Sequence, residues 1–205
     1  MTKLIHNQKL KTILASIKPW ATVAVIFLVL RYTGLLSGIS VVTQSALMET
    51  GLLNIKPENN VAARPFNYRF TIKDMEGKEV DMNGFKGKVI FLNLWATWCG
   101  PCRAEMPSIQ ELYDKVDHEK IVFIMLSLDE PEHRNKIVRY IEDQKFSFPV
   151  YQPLSAFPNQ LRVTTIPTTF VVGADGKIKM KKSGTANYAT EEFQQFLEKL
   201  TVTNP

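Results

Sequence analysis

Two stretches of this chain are almost unbroken in apolar residues and have the length of a strand: Val89-Ile90-Phe91-Leu92-Asn93-Leu94-Trp95 and Ile121-Val122-Phe123-Ile124-Met125-Leu126-Ser127-Leu128. Such runs belong to strands buried on both faces of a sheet. Shorter candidates at Phe66 to Ile72 and Glu79 to Met82 flank the turn signal Met75-Glu76-Gly77-Lys78 and predict an N-terminal β-hairpin. Phe148-Pro149-Val150-Tyr151 adds a short strand, and Ala174-Asp175-Gly176-Lys177 marks a second hairpin between Phe170 to Val172 and Ile178 to Lys181. Helical spacing appears from Pro101 onward through Ala104, Ile109 and Leu112, from Pro131 to Gln144 through Ile137, Val138, Tyr140 and Ile141, and from about Thr190 to Leu200. In the last of these Thr190 is the expected N-cap, Glu191 and Glu192 favour the first turn, and Phe193, Phe196, Leu197 and Leu200 share one face. The order predicts one α/β domain over residues 66–205, a mixed sheet with helices on both faces.

Residues 1–48 follow a different pattern. Lys3, Lys9, Lys11, Lys18 and Arg31 occur there and no acidic residue precedes Glu49, so the formal net charge of +5 belongs to this segment and the remainder balances to about zero. A basic charge confined to one end is no sign of nucleic-acid binding, which needs basic residues on the folded domain. Between Lys18 and Arg31 runs the apolar stretch from Pro19 to Leu30. A basic flank followed by an apolar run is an export signal that holds the N-terminus in the cytoplasm. The stretch is shorter than a span of about 20 residues. A span would include Arg31, or else Lys18 snorkelling to an interface. Small-residue pairs for cleavage are poor, Gly38 and Ser40 being the best. The segment is therefore expected to be a retained transmembrane or signal anchor, with a cleaved signal and a buried helix as the other readings. Residues 49–65, with Lys56, Pro57, Glu58, Asn59 and Asn60 and no sustained period, are expected to be a linker.

The chemistry is carried by the only two cysteines, in Trp95-Ala96-Thr97-Trp98-Cys99-Gly100-Pro101-Cys102. They stand three apart, after a buried strand and at the start of a helix, with Pro101 tolerated in the first turn because no intrahelical N–H bond is lost there. Unsatisfied N–H groups and the helix dipole favour a negative charge at that place, so Cys99 is expected to be a low-pKa thiolate, the species that attacks a disulfide. Cys102, one turn on, is expected to resolve the mixed disulfide. A zinc site would need two further ligands, and His6, His118 and His133 have no ligand-like spacing; no metal is expected.

The run Trp98-Cys99-Gly100-Pro101-Cys102 resembles the thioredoxin active site, and Leu92 to Cys99 with Glu105-Met106-Pro107 resembles the TlpA/ResA branch of the thioredoxin superfamily, over roughly residues 66 to 200. The resemblance implies a thioredoxin-like fold with the added helix and strand of that branch. Asn93 stands where thioredoxin has a buried aspartate. Glu105 matches the branch's glutamate three residues after the second cysteine, implying a catalytic role in proton transfer as Cys102 attacks. The other reading of Glu105 is an ordinary first-turn acid facing water. In Thr165-Ile166-Pro167-Thr168 the resemblance implies a cis Pro167 facing the cysteines, with Ile166 offering backbone groups to an extended substrate. Sequence alone would favour a trans proline at the start of an edge strand. Trp98, Gly100, Pro101, Ile166 and Pro167 are thus the expected substrate-contacting residues, and Trp95 is either core or part of that surface.

These readings predict a thiol-disulfide oxidoreductase outside the cytoplasm that needs no cofactor. Its expected partners are disulfide-bearing exported proteins, a membrane thiol protein that donates electrons, and the membrane itself. The Gly-Pro pair and the Ile before Pro167 resemble thioredoxin, the reducing end of the superfamily, so reduction is expected over disulfide donation. Cytochrome c maturation is a frequent task of the branch, although Thr168 stands where dedicated Gram-negative maturation proteins often carry an acid. A non-enzymatic peptide-binding module is the alternative on the same fold. A peroxidase reading lacks the Pro-x-x-x-Thr-x-x pattern before Cys99. A copper-chaperone reading lacks the wider cysteine spacing and distal histidine. The alternation of Lys177, Lys179 and Lys181, with Lys182, reads as the solvated side of an exposed strand.

Overall fold

The computed structural model describes residues 53–55 and 64–202, together with Val25 and Val29. The chain divides into a unit Met1–Val42 and a unit Thr43–Pro205. Within the first unit Val25 and Val29 are helical and exposed; the expected anchor otherwise lies outside the described residues. Among the described residues no helix is long and apolar enough to cross a membrane.

The second unit is built on a seven-stranded sheet. Its strands are β1 (Thr71–Asp74), β2 (Glu79–Asp81), β3 (Val89–Trp95), β4 (Ile121–Ser127), β5 (Val150–Pro153), β6 (Thr168–Val172) and β7 (Ile178–Ser183), in the order β2-β1-β5-β4-β3-β6-β7. β3 runs parallel to β4, Val89 facing Ile121, and β4 runs parallel to β5, whereas β1, β2, β6 and β7 pair antiparallel. The two continuous apolar runs are thus the central strands, β3 being buried at every position. The short strand lies two residues later than the sequence suggested. Pro149 has no N–H to give to a ladder, and pairing with β4 begins at Val150, opposite Met125. β7 is an edge, with Lys179, Lys181 and Lys182 partly exposed along it.

Three α-helices follow the expected spans: α1 (Gly100–Tyr113), α2 (Arg134–Gln144) and α3 (Glu191–Lys199). The predicted start of α2 at Pro131 is a separate 3-10 turn, Pro131–His133. Thr190 caps α3, its side chain accepting from the Phe193 N–H. Met106, Ile109 and Leu112 of α1, Ile137 of α2, and Phe193 and Leu197 of α3 join Val89, Phe91 and Trp95 in one apolar cluster on one sheet face. Among the described residues the opposite face, with Ile90, Leu92 and Leu94, meets no α-helix and is covered by short 3-10 helices, Met82–Phe85 and Asn159–Leu161, by loop residues such as Phe157 and Val163, and by the segment through Phe66, Tyr68 and Phe70. Helices on both faces therefore holds only in this reduced sense.

That segment also accounts for a shorter first strand. The alternation Phe66, Tyr68, Phe70 comes from an irregular stretch packed on this face of the sheet, at whose start Phe66 N–H donates to Gly176 O (2.8 Å) and Ile178 N–H to Arg64 O (2.9 Å). Strand pairing within the sheet starts only at Thr71. The turn it meets contains Gly176 at φ +73°, a conformation that favours glycine. Part of the stretch read as linker is also folded down. Asn54 bridges Asn187, Asn187 N–H donates to Leu53 O (2.8 Å), and Ile55 is buried in the helix-side cluster.

Candidate active site

The loop after β3 delivers Cys99 to the N-terminus of α1. Cys99 N–H donates to Ala96 O (3.1 Å), which tightens the turn, and Cys99 is the N-cap of the helix, with extended backbone geometry. Its Sγ accepts from the Cys102 N–H at 3.2 Å. One of the orphan donors of the helix start is thereby aimed at the sulfur, the placement in which a helix N-terminus favours negative charge. The structure shows the oxidised pair, a Cys99–Cys102 disulfide with Cα atoms 5.3 Å apart. Cys102 is wholly buried and Cys99 retains 6% exposure, so of the two cysteines only Cys99 is open to an incoming partner.

The loop before β6 comes to the same place. The Ile166–Pro167 peptide is cis, as the resemblance implied, and Ile166 O lies 3.8 Å from Cys99 Sγ. The Ile166 N–H has no intramolecular partner among the described residues, leaving it open to an extended chain. Pro167 does not begin an edge strand: β6 lies between β3 and β7. Trp98 is 65% exposed, Pro101 is exposed and Gly100 half-buried around the pair. A Cβ on Gly100 would meet nothing within 4 Å, so the backbone does not demand glycine there. Trp95 is fully buried against Tyr140 and belongs to the core.

Glu105 is where the water-facing reading fails. Its side chain is fully buried on the inner side of α1, because position 105 lies one turn beyond Cys102 on the face turned to the sheet. Oε1 accepts from Asn93 Nδ2 at 2.7 Å and Oε2 from the Ala186 N–H at 3.1 Å. Burial pushes the carboxyl up to about 8; the Asn93 and Ala186 hydrogen bonds and the Lys182 charge pull in the other direction without offsetting it. Asn93 Nδ2 also donates to Thr169 Oγ1 (2.9 Å), to which Tyr188 donates its hydroxyl at 2.7 Å. The result is a buried polar chain from the sheet to a titratable carboxyl one helical turn from the inner cysteine.

Sequence reasoning did not single out Asp129, Thr97, Thr169, Ala186 or Tyr188. Asp129 is buried at the end of β4, where it accepts from Thr97 N–H (2.8 Å), Thr97 Oγ1 (2.6 Å) and Ser127 Oγ (2.8 Å). The only trace of this in sequence is Ser127-Leu128-Asp129, where polar residues close an apolar run. Ala186 acts through its backbone, which leaves no trace in sequence. Among the described residues no group of three or more His, Cys, Asp or Glu side chains is placed to hold a metal ion.

Comparison with known proteins agrees with this geometry. The AhpC/TSA family matches residues 67–181. The thiol-disulfide oxidoreductase ResA of Bacillus thuringiensis subsp. konkukian is 34% identical over 133 residues, covering 64% of this chain and 75% of the relative. That of Geobacillus thermodenitrificans is 32% identical over 136 residues, covering 64% and 74%. Among solved structures, a thioredoxin-family thiol:disulfide interchange protein of Chlorobium tepidum superposes with a TM-score of 0.55 at 26% identity, over 69% of this chain and all of that one. A putative thiol-disulfide oxidoreductase of Bacteroides vulgatus gives 0.53 at 28% identity, over 64% and 91%.

Proposed function

This chain belongs to the AhpC/TSA family and is a thiol-disulfide oxidoreductase, and from that premise we propose that it reduces disulfides of exported proteins while held at a membrane by residues 1–48. The observation that carries the reading is the sulfur of Cys99, capped by the Cys102 N–H and facing the Ile166 carbonyl, in the one cysteine of the pair that keeps any exposed surface.

In the reduced enzyme the Cys99 thiolate attacks one sulfur of the substrate disulfide. A Cys99–substrate disulfide forms and the other substrate sulfur leaves as a thiolate, which takes up a proton. The substrate backbone pairs with Ile166 like an added strand, and Trp98, Gly100, Pro101 and Pro167 shape the contact. Cys102 then attacks Cys99 Sγ and releases the second substrate thiol. Two electrons pass to the substrate and the enzyme is left as the Cys99–Cys102 disulfide. Burial raises the Glu105 pKa to about 8, so a fraction of the carboxyl is ionised near neutral pH, and in that form it takes the Cys102 proton in this second step. A thiol protein of the membrane restores the dithiol, as a reductase in an oxidising compartment requires. Apocytochrome c, whose haem-attaching cysteines must stay reduced, is one substrate of this class. Thr168, which follows Pro167, donates its hydroxyl to Thr165 O (2.8 Å) and is fully buried, so it offers no polar group to such a partner.

The test is the reduction potential of the full chain, equilibrated in glutathione or dithiothreitol buffers, with Cys102→Ala used to trap mixed disulfides. A value near about −270 mV and trapped exported proteins support the reductase. A value near about −120 mV makes the protein a disulfide donor. Function that survives loss of either cysteine points instead to a binding module.

A further inference from the structure

The loop that presents Cys99 is fastened at one point to a neighbouring strand end. Thr97 stands two residues before Cys99, and both of its polar donors, the backbone N–H and the hydroxyl, go to the carboxylate of Asp129, at 2.8 and 2.6 Å. Asp129 is itself held. Ser127 Oγ donates to its carboxylate (2.8 Å) and accepts from its N–H (3.1 Å), and Gln152 Nε2 on β5 donates to the backbone oxygens of Asp129 and Glu130 at 3.3 and 3.2 Å. Leu128 N–H closes the same junction on Trp95 O at 2.7 Å. Thr97, Ser127 and Asp129 are all buried, so these bonds are not in exchange with water.

A carboxylate accepts and does not donate, and here it receives three donors, two of them from Thr97. Trp98, between Thr97 and Cys99, has an exposed ring that does not anchor the loop, and Cys99 N–H returns to Ala96 O at 3.1 Å, so Thr97 and Cys99 belong to one short closed turn. The Thr97 attachment fixes this closed turn to the end of β4 and, with it, the direction from which Cys99 Sγ meets the Cys102 N–H.

We infer that Asp129 is a positioning residue of the oxidoreductase: through Thr97 it holds the active-site loop so that Cys99 Sγ caps α1, and thereby sets the reactivity and potential of the pair. The N–H cap favours the thiolate more than the neutral disulfide sulfur. Releasing the loop therefore raises the energy of the reduced form, slows attack by Cys99 and makes the potential more negative. A direct effect of the Asp129 charge on the thiolate has the opposite sign, since removing a nearby negative charge favours the thiolate.

The two effects are separated by Asp129→Asn, which removes the charge and turns one acceptor into a donor, and by Thr97→Val, which removes the hydroxyl and leaves the charge in place. In the full-length reduced protein the measurements are the alkylation rate of Cys99 by iodoacetamide across pH 5 to 9, with the labelled cysteine identified by mass spectrometry, and the equilibrium with glutathione. Both variants are expected to alkylate about tenfold more slowly at pH 7 and to shift the equilibrium about tenfold against the reduced enzyme, about 30 mV for a two-electron couple. Faster alkylation in Asp129→Asn with Thr97→Val unchanged assigns the effect to charge and overturns the inference. Unchanged rates in both, or a change in one variant only, overturn it as well. The inference rests on Cys99 as the nucleophile. Wild-type label on Cys102 removes that premise and the inference together, whereas label on Cys99 with unmoved rates removes the inference alone.

Discussion

Glu105 has its carboxyl in a place where ionisation is costly, and that cost depends on pH in a definite direction. A carboxyl whose folded pKa is raised to about 8 from an ordinary 4.5 binds more protons in the folded than in the unfolded chain between those values. Stability therefore falls as pH rises from about 4.5 to about 8 and is level on either side. Glu105→Gln keeps an acceptor for Asn93 or Ala186 and removes the titration. Urea unfolding of the oxidised protein at pH 5 and pH 8 should show wild type losing on the order of a few kcal/mol over that interval through this group and the variant losing markedly less. An equal slope for both proteins means that the carboxyl does not titrate there. The same substitution should slow release of substrate from the mixed disulfide without slowing its formation, since only the second step uses the Cys102 proton.

At the scale of elements, three residues outside the sequence-defined domain, Leu53–Ile55, hold down the loop over Glu105. Asn187 N–H donates to Leu53 O, Ile55 N–H donates to Asn187 O at 3.2 Å, and Ile55 fills a place in the helix-side core. The neighbouring Ala186 N–H is the one that holds Glu105 Oε2, and Thr185 Oγ1 reaches Pro101 O at 3.3 Å. Ile55→Ala in the full chain should cost about 2 to 5 kcal/mol, the range for truncating a buried Ile. Hydrogen exchange at the Asn187 amide should quicken by more than the global loss of stability accounts for. Exchange that follows global stability alone shows that residues 53–55 add packing and do not latch the loop. The segment was not legible in sequence because Leu53-Asn54-Ile55 carries no period, and its partner at residue 187 lies 133 positions away from Asn54. β3, β4 and the closing helix were legible because burial on both faces and 3.6-residue spacing leave direct marks. Cys99, Cys102 and Pro167 could be read from spacing and resemblance. The side of α1 on which Glu105 lies was open between core and water until the sheet was in place, and the Asp129–Thr97 attachment joins two strand ends that only the fold brings together.

For the molecule as a whole, the separation of charge is the feature that bears on where it works. The excess of +5 lies before Glu49, and the rest of the chain is close to neutral. A near-neutral domain has little long-range field with which to steer partners, so turnover of protein disulfides should depend weakly on ionic strength. The basic end matters for orientation: Lys3, Lys9, Lys11 and Lys18 precede the apolar run from Pro19 to Leu30, and lysines and arginines beside such a run stay on the cytoplasmic side. The proposed location requires that the redox domain be delivered to the outer face, which labelling can test. In intact cells treated with a mild reductant, a membrane-impermeant maleimide should label Cys99 of the full chain without lysis. Replacing Lys9, Lys11 and Lys18 with Gln should lower that labelled fraction, because the bias that sets orientation is weakened. Labelling of the unaltered chain only after lysis would place the domain inside the cell. There glutathione and thioredoxin already keep thiols reduced. The need for a membrane electron donor would then fall away with the proposed location, while the thiol-disulfide chemistry of Cys99 and Cys102 would stand.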